Sequence, residues 1–385
     1  TVPAGDTLTI LPQDSGQAIN ASPYEVGAIL TLTAPRILQG GTVRSPLGTI
    51  NFVGVNDGSA GANSITLLPG SLTSVSAEGK TIPYGTTANG DTWLDPVTGL
   101  ELTILPTKAV NLTADKLDLQ AGAILDVKGG GNLYAWEFTP GIGGTRDWLA
   151  GYRDEKYNWV EDGRQIFAVV PGYNADIAPI GIGNVSNVGV GEKIYLSGGS
   201  GLPAGYYTLL PARYALLPGA FRVTAQHHYG DFSQMVLGQS GPVADGSSIQ
   251  AGYRYTPDQN GTPKYTAQQA SGYLVMPSST LRLRSQYTDS LANSFYLSEA
   301  FLKKALRSNR PVGDVPRIPL DGGSVVLSAG TKLNLDATLQ SAAAKGGRGG
   351  FADIKGTKIL VAGADTALSN YNGYLIPDSE RLNSF

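Results

Sequence analysis

The chain has 385 residues, enough for about two or three compact domains or one elongated repeat domain. Its net charge of −3 comes without basic blocks, which argues against a nucleic-acid partner, and the absence of cysteine excludes disulfide staples, thiolate metal sites and cysteine nucleophiles. Charged residues are 15% where about 25% is usual, and 51 glycines are about twice the ordinary share, so many turns and Ser/Thr/Asn-lined faces are expected.

Hydrophobic residues at 41% suffice for a core, so general disorder is not expected. No apolar run reaches the roughly 18 residues that span a bilayer, and no signal peptide is visible. The chain opens on Thr1-Val2-Pro3, and it reads as a piece of something longer.

Alternating apolar residues mark half-buried strands at Ala28-Ile29-Leu30-Thr31-Leu32 and Thr49-Ile50-Asn51-Phe52-Val53. Three longer segments then align on a glycine. They are Ile65-Thr66-Leu67-Leu68-Pro69-Gly70 continuing to Val75, Leu117-Asp118-Leu119-Gln120-Ala121-Gly122 continuing to Val127, and Val325-Val326-Leu327-Ser328-Ala329-Gly330 continuing to Leu335. Each has apolar residues five and three positions before the glycine and another five after it. Gly70, Gly122 and Gly330 are therefore expected at turns that a side chain would obstruct. Strand, tight turn, strand is the unit of a parallel β-helix, whose stacked rungs share one core. Glycine-rich corners follow at Gly129-Gly130-Gly131 and Gly346-Gly347-Arg348-Gly349-Gly350.

Between Leu133 and about Tyr287 the composition shifts to aromatics and prolines, and Leu209-Leu210-Pro211 is echoed by Leu216-Leu217-Pro218-Gly219. Proline there favours edges and corners over central strands. One short helix is expected over Ser290–Arg307, with Leu291, Phe295, Leu302 and Leu306 on one face. The expected fold is all-β: a right-handed parallel β-helix with an inserted β-rich module and one short helix. The expected segments are 1–132 as rungs, 133–288 as the aromatic module, 289–310 as the helix, and 311–385 as rungs again.

Several strings carry a family resemblance. They include Ser74-Val75-Ser76-Ala77-Glu78-Gly79 with Thr81-Ile82-Pro83-Tyr84-Gly85, and Asn132-Leu133-Tyr134-Ala135-Trp136-Glu137-Phe138 with Pro140, Gly143-Gly144 and Arg146-Asp147. Leu202-Pro203-Ala204-Gly205 through Leu216-Leu217-Pro218-Gly219-Ala220-Phe221, and Gln286-Tyr287-Thr288-Asp289-Ser290-Leu291-Ala292-Asn293-Ser294, are others. Together they resemble a late, conserved region of filamentous-haemagglutinin-type exoproteins of the two-partner secretion class. The resemblance implies export through a dedicated outer-membrane pore and display on a Gram-negative cell surface. It implies adhesion or biofilm-matrix building as the parent protein's role. It carries over no catalytic motif and no cofactor.

The chemistry-bearing residues are few. His227-His228 would point to opposite faces of a strand, and no third histidine or cysteine completes a metal site, so no metal is expected. Asp115, Asp118 and Asp126 are the best carboxylate set, and their apolar neighbours take the inward positions, so they are expected outside and solvated. No catalytic residue is assigned. The aromatic cluster Trp136, Trp148, Tyr152, Tyr157 and Trp159, interleaved with Arg146 and Asp147, admits two roles. It is either a platform for a polysaccharide or a surface protein, or the module's own small core. The expected function is a stiff, non-enzymatic adhesin segment that neither enters a membrane nor binds nucleic acid. A carbohydrate-active β-helix enzyme and a trimeric phage tail-spike or fibre module are the alternatives.

Overall fold

A computed structural model describes residues 6–12, 25–56, 63–96, 98–141, 144–150, 166–173, 189–225, 235–255, 270–307, 315–360 and 374–375. The chain is mostly β, with few helices. It divides into two compact units, one of Thr1–Ala135 and Ser290–Phe385, the other of Trp136–Asp289.

The first unit is built from tiers of parallel strands. Ile29–Ala34 pairs with Thr49–Gly54, which pairs with the first half of the long strand Ala109–Leu119. That strand pairs on its other side with Ser324–Leu335, which is followed in the sheet by Phe351–Lys355. The second half of Ala109–Leu119 lies on Ser64–Leu67, which continues to Arg36–Gln39 and Thr7–Ile10. A second parallel sheet stacks Thr42–Arg44, Leu72–Ser74, Ile124–Asp126 and Thr338–Gln340 in that order.

Registry between tiers turns the period-two pattern into continuous apolar columns. Leu32, Phe52, Leu112, Leu327 and Ile354 form one, and Ile37, Ile65, Leu117 and Leu333 form another. Phe52, Ile37 and Leu112 are fully buried in the core these columns make. The outward residues form polar ladders. Asn111 donates from Nδ2 to Asn51 Oδ1 at 2.8 Å, and Asn51 donates in turn to Thr31 Oγ1 at 3.1 Å. Polar residues are also buried in the stack, and Gln39 shows how they are satisfied: fully buried, it donates to the carbonyls of Gly41 and Leu72 and accepts from Gly41 N–H.

The corners explain two of the three aligned glycines. Gly70 and Gly122 hold φ of +80° and +88°, and Gly70 N–H donates to the carbonyl of Gly122 at 2.9 Å, one corner lying on the next. Gly330 is different and corrects the alignment. It stands inside Ser324–Leu335, where the register shifts against Ala109–Leu119 between Ala114 and Lys116. Its missing side chain makes room for Asp115, whose Oδ1 lies 2.7 Å from where a Cβ would be. In that tier Leu333 and Leu335 are the equivalents of Leu117 and Leu119, and only Asp336 and Ala337 separate the strand from Thr338–Gln340.

Between tiers the chain makes excursions. After Ser74 it builds an antiparallel hairpin, Thr81–Ala88 with Thr92–Leu94. Trp93 of the hairpin is fully buried, donates from Nε1 to Tyr84 O at 2.9 Å, and packs at 5.3 Å on Phe295 and 5.7 Å on Tyr296. The expected helix over Ser290–Arg307 is corrected here: Tyr287–Leu291 is a strand, and two short helices follow at Ala292–Phe295 and Glu299–Arg307. Leu291 and Leu306 are exposed, while Ala292, Phe295, Tyr296 and Phe301 are the buried residues, because aromatic packing against Trp93 fixes the face.

The second unit contains an antiparallel sheet in the order Gly205–Thr208, Lys193–Leu196, Ser248–Arg254, Ser271–Pro277, Phe221–Ala225, Ile166–Val169, Leu210–Pro211, with Ser240–Pro242 on Ser248–Arg254. Phe167, Val169, Ile194, Leu196, Val223 and Val275 lie in its core. Pro211 and Pro277 end strands, and a 3-10 turn (Ala212–Leu216) and a helix (Ser278–Arg284) start right after them.

The columns give a direct test. Leu112→Ala should cost about 2–5 kcal/mol in urea unfolding followed by circular dichroism, since it opens a hole between Phe52 and Leu327. Thr113→Ala, one residue on and facing out, should change stability by no more than about 0.5 kcal/mol.

Candidate functional site

The aromatic cluster is only partly assembled as a surface. Trp136 is 8% exposed, within the mostly buried strand Asn132–Phe138. Trp148 is half-buried, but Arg146 lies over its ring at 4.2 Å from the centroid, with Arg222 at 5.8 Å. Arg222, itself buried, donates from Nε to the carbonyl of Trp148 at 2.8 Å. Asp147 Oδ1 accepts from the hydroxyl of Tyr287 at 2.8 Å and from Leu149 N–H at 2.9 Å, and Tyr287 Oη accepts from Trp148 N–H at 3.2 Å. Burial, and then the Asp147 carboxylate, push the Tyr287 phenol far above its usual range, so it stays a donor. Arg146, Asp147 and Trp148 thus form a hydrogen-bonded corner in which the indole already carries a cation. Tyr152, Tyr157 and Trp159 lie outside the described residues, as does the pair His227-His228.

A second aromatic patch lies on the same unit and was not singled out in the sequence. Tyr195 is the cross-strand partner of both Tyr206 and Tyr253. Tyr195 and Tyr253 stack at 5.1 Å, Tyr206 stands edge-on to both, and the hydroxyls of Tyr206 and Tyr253 are 2.8 Å apart. Tyr206 is 39% exposed. The signal was available as tyrosines at alternate positions of three strands opposite Ile194, Leu196 and Tyr207, which belong to the core.

The carboxylates behave differently from one another. Asp126 is buried rather than solvated, which corrects the expectation: it accepts from Ser74 Oγ at 3.0 Å and from Lys128 N–H at 3.1 Å, and these donors offset its desolvation. Asp118 accepts from Asn334 and Gln120, and Asp115 accepts from Asn63. Each carboxylate is tied into a ladder between tiers. Among the described residues no group of three or more His, Asp or Glu side chains could hold a metal ion. Among them, too, no helix is long and apolar enough to cross a membrane.

The first unit also contains a cavity of about 280 Å³. It follows the corner from which successive tiers start. Leu47 precedes the strand Thr49–Gly54, Lys108 precedes Ala109–Leu119, Gly323 precedes Ser324–Leu335, and Phe351 opens the last of the stack. Leu105, Leu133 and Ile318 complete the apolar wall, and Ile104, 70% exposed, stands at the rim. Lys108 is 7% exposed and donates from Nζ to the carbonyl of Pro319 at 2.8 Å and to that of Asp321. Burial pushes its pKa down to about 8, against the opposing pull of Asp321. Asp321 is buried too. Desolvation raises it, but Arg348 Nε at 2.9 Å, Arg348 Nη2 at 2.6 Å and the amides of Arg348 and Ile318 outweigh this and hold its carboxyl below the usual range. Arg317 donates from Nη1 to the carbonyls of Gly322 and Gly349 and lies over the Phe351 ring at 5.5 Å. An apolar cavity edged by two cations, one with a displaced pKa, is suited to hold a small molecule.

Comparison with protein-family models, with curated proteins and with solved structures finds no match to this chain.

Two outcomes follow from these geometries. Tyr287→Phe removes both the donor to Asp147 and the acceptor of Trp148 N–H, and it should lower stability by about 1–3 kcal/mol in thermal or urea unfolding. For Lys108, the folded value of about 8 lies below the ordinary 10.5, so between these pH values the unfolded chain binds more protons and stability rises with pH. The rise should reach about 2 kcal/mol from pH 8 to 10 and be missing from Lys108→Met, so that it appears as the difference between the two proteins when urea unfolding is measured at each pH. Above about pH 10, the protonated phenols of Tyr287 and Tyr296 act in the opposite sense.

Proposed function

We propose that this chain is a non-enzymatic segment of a large secreted bacterial surface protein of the filamentous-haemagglutinin type. In this reading the first unit is a stretch of right-handed parallel β-helix that acts as a stiff stalk. The second is an inserted β module that offers surface to a polysaccharide or a surface protein. The observation that carries the reading is the in-register stack of parallel tiers, with Leu32, Phe52, Leu112, Leu327 and Ile354 in one column and a second parallel sheet beside it.

Physical reasons favour a stalk. Tiers of parallel strands rise about 4.8 Å each, so length grows with the number of repeats while every tier buries its inner face on its neighbours. Parallel connections of this kind are right-handed in nearly all known sheets. Columns of Ile, Leu and Phe inside and ladders of Asn and Thr outside stiffen the stack along its axis. The absence of cysteine suits export through an outer-membrane pore of the two-partner type, because no bridge can lock the chain before it passes. The strings around Ser74–Gly85, Asn132–Phe138 and Gln286–Ser294 support the same family.

The reading requires display outside the cell. Antibodies raised on this chain should label intact cells of the producing bacterium. Brief protease treatment of those cells should remove the label, and deletion of the partner pore should abolish it. Antigen that appears only after lysis, and is untouched by external protease, would overturn the proposal.

A further inference from the structure

The cavity of the first unit has a chemistry that the stalk reading does not use. We propose that it is a binding site for a small amphiphilic carboxylate, with the apolar body against Leu47, Leu105, Leu133 and Phe351 and the carboxylate between Lys108 and Arg317.

Size sets the first constraint. About 280 Å³ lies at the lower edge of the roughly 300–1,000 Å³ typical of ligand pockets, so the ligand is compact: a single ring or a short chain rather than a full lipid or a sugar polymer. The walls set the second, since leucine, isoleucine, proline and phenylalanine side chains dominate them and favour an apolar body.

Charge sets the third. Lys108 and Arg317 are both cations on the lining, and the two carboxylates that act on Lys108 are already engaged, Asp321 by Arg348 and two backbone amides and Asp126 by Ser74 Oγ and the Lys128 amide. The partners of Lys108 are neutral carbonyls, those of Pro319 and Asp321. An ammonium has three donors, so one remains for an acceptor on a ligand. A buried cation held only by carbonyls gains from an anion beside it. Arg317 is engaged through Nη1, on Gly322 and Gly349, and is steadied by the Phe351 ring. Its Nη2 and Nε donors are then presented in the planar geometry that a carboxylate meets with two oxygens. A phosphate would bring more charge than two cations beside an aspartate balance, and a neutral ligand would leave Lys108 as it is.

The probes are 3-phenylpropanoate and hexanoate, each compared with its alcohol, 3-phenylpropanol and hexanol. They would be titrated into the full chain by calorimetry and by ligand-observed NMR. At least one acid should bind tighter than its alcohol by on the order of tenfold, the worth of a charge-assisted hydrogen bond. Preference for one acid over the other identifies an aromatic or an aliphatic source.

Ile104→Glu places a negative charge on the exposed rim, where the fold tolerates it, and should weaken acid binding strongly while leaving the alcohol little changed. Arg317→Gln should do the same. Lys332→Glu, on an exposed outward position of a tier strand away from the lining, should leave binding unchanged. Affinity for the acid should also fall between pH 7 and 9 as Lys108 loses its proton. Equal binding of acid and alcohol, indifference to Ile104→Glu, or no binding at all would each overturn the proposal. None of these results bears on surface display, which has its own test.

Discussion

The first unit depends on one constraint: the parallel backbone ladder must stay in register from tier to tier. Side chains along a strand alternate with a period of two, so a slip of one residue would put Phe52 and Leu112 outside and Asn51 and Asn111 inside. The apolar columns and the polar ladders therefore act together. Fully buried Ile37, Ile50 and Leu112 supply the driving force, while the Asn111–Asn51–Thr31 chain and the Asn334–Asp118 bond penalise any other alignment. Where the register does shift, between Ala114 and Lys116, the shift is built around Gly330, which leaves room for the Asp115 side chain.

The same constraint explains how the chain carries its insertions. An excursion is free to have any length provided that it re-enters its column at the same height. The hairpin of Thr81–Leu94, which carries Trp93, and the helical segment that carries Phe295, Tyr296 and Phe301 come from two different excursions, and their aromatic side chains pack together. The return points are marked by backbone bonds: Ala109 N–H to Gly48 O, Ser324 N–H to Lys108 O, and Phe351 N–H to Gly323 O. More than 200 residues separate Lys108 from Ser324, and the long separation costs little in loop-closure entropy beyond that of a shorter loop.

How much of this was legible in the sequence depends on which signal each element left. The all-β class and the strands at Ile29–Ala34 and Thr49–Gly54 were readable, because alternation survives wherever one face is buried. The corners at Gly70 and Gly122 were also readable, since positive φ leaves glycine as a trace. Gly330 misled because a glycine that makes space for a neighbouring side chain looks the same in sequence as one that turns the chain. The helix was misread because its apolar spacing ignored which face Trp93 would cover, a contact made across about 200 residues. The site was less legible still. Arg146, Asp147 and Trp148 were conspicuous as residue types, yet their partners Arg222 and Tyr287 are distant in sequence. Lys108 resembled an ordinary strand-flanking lysine, and only the approach of Pro319 and Asp321 gives it a buried role.

That role has a physical origin in the corner itself. Strand ends leave carbonyls without ladder partners, and a corner crowded by glycines has few side chains to satisfy them. Lysine and arginine solve this from a distance: Lys108 reaches the carbonyls of Pro319 and Asp321, Arg317 those of Gly322 and Gly349, and Arg348 those of Val315 and Pro316. Three cations thus converge on this corner, and the two carboxylates that act on Lys108 are already engaged, Asp321 by Arg348 and Asp126 by Ser74 and the Lys128 amide. Glycines stand at 322 and 323 because a Cβ there would meet backbone atoms, so these two lining positions send no side chain into the cavity. The corner that lets the excursions return to the ladder therefore combines spare positive charge with spare apolar volume. The requirement of register is enough to produce a site of this character without any demand from a ligand, and a ligand that fits it would brace the corner on which the tiers depend.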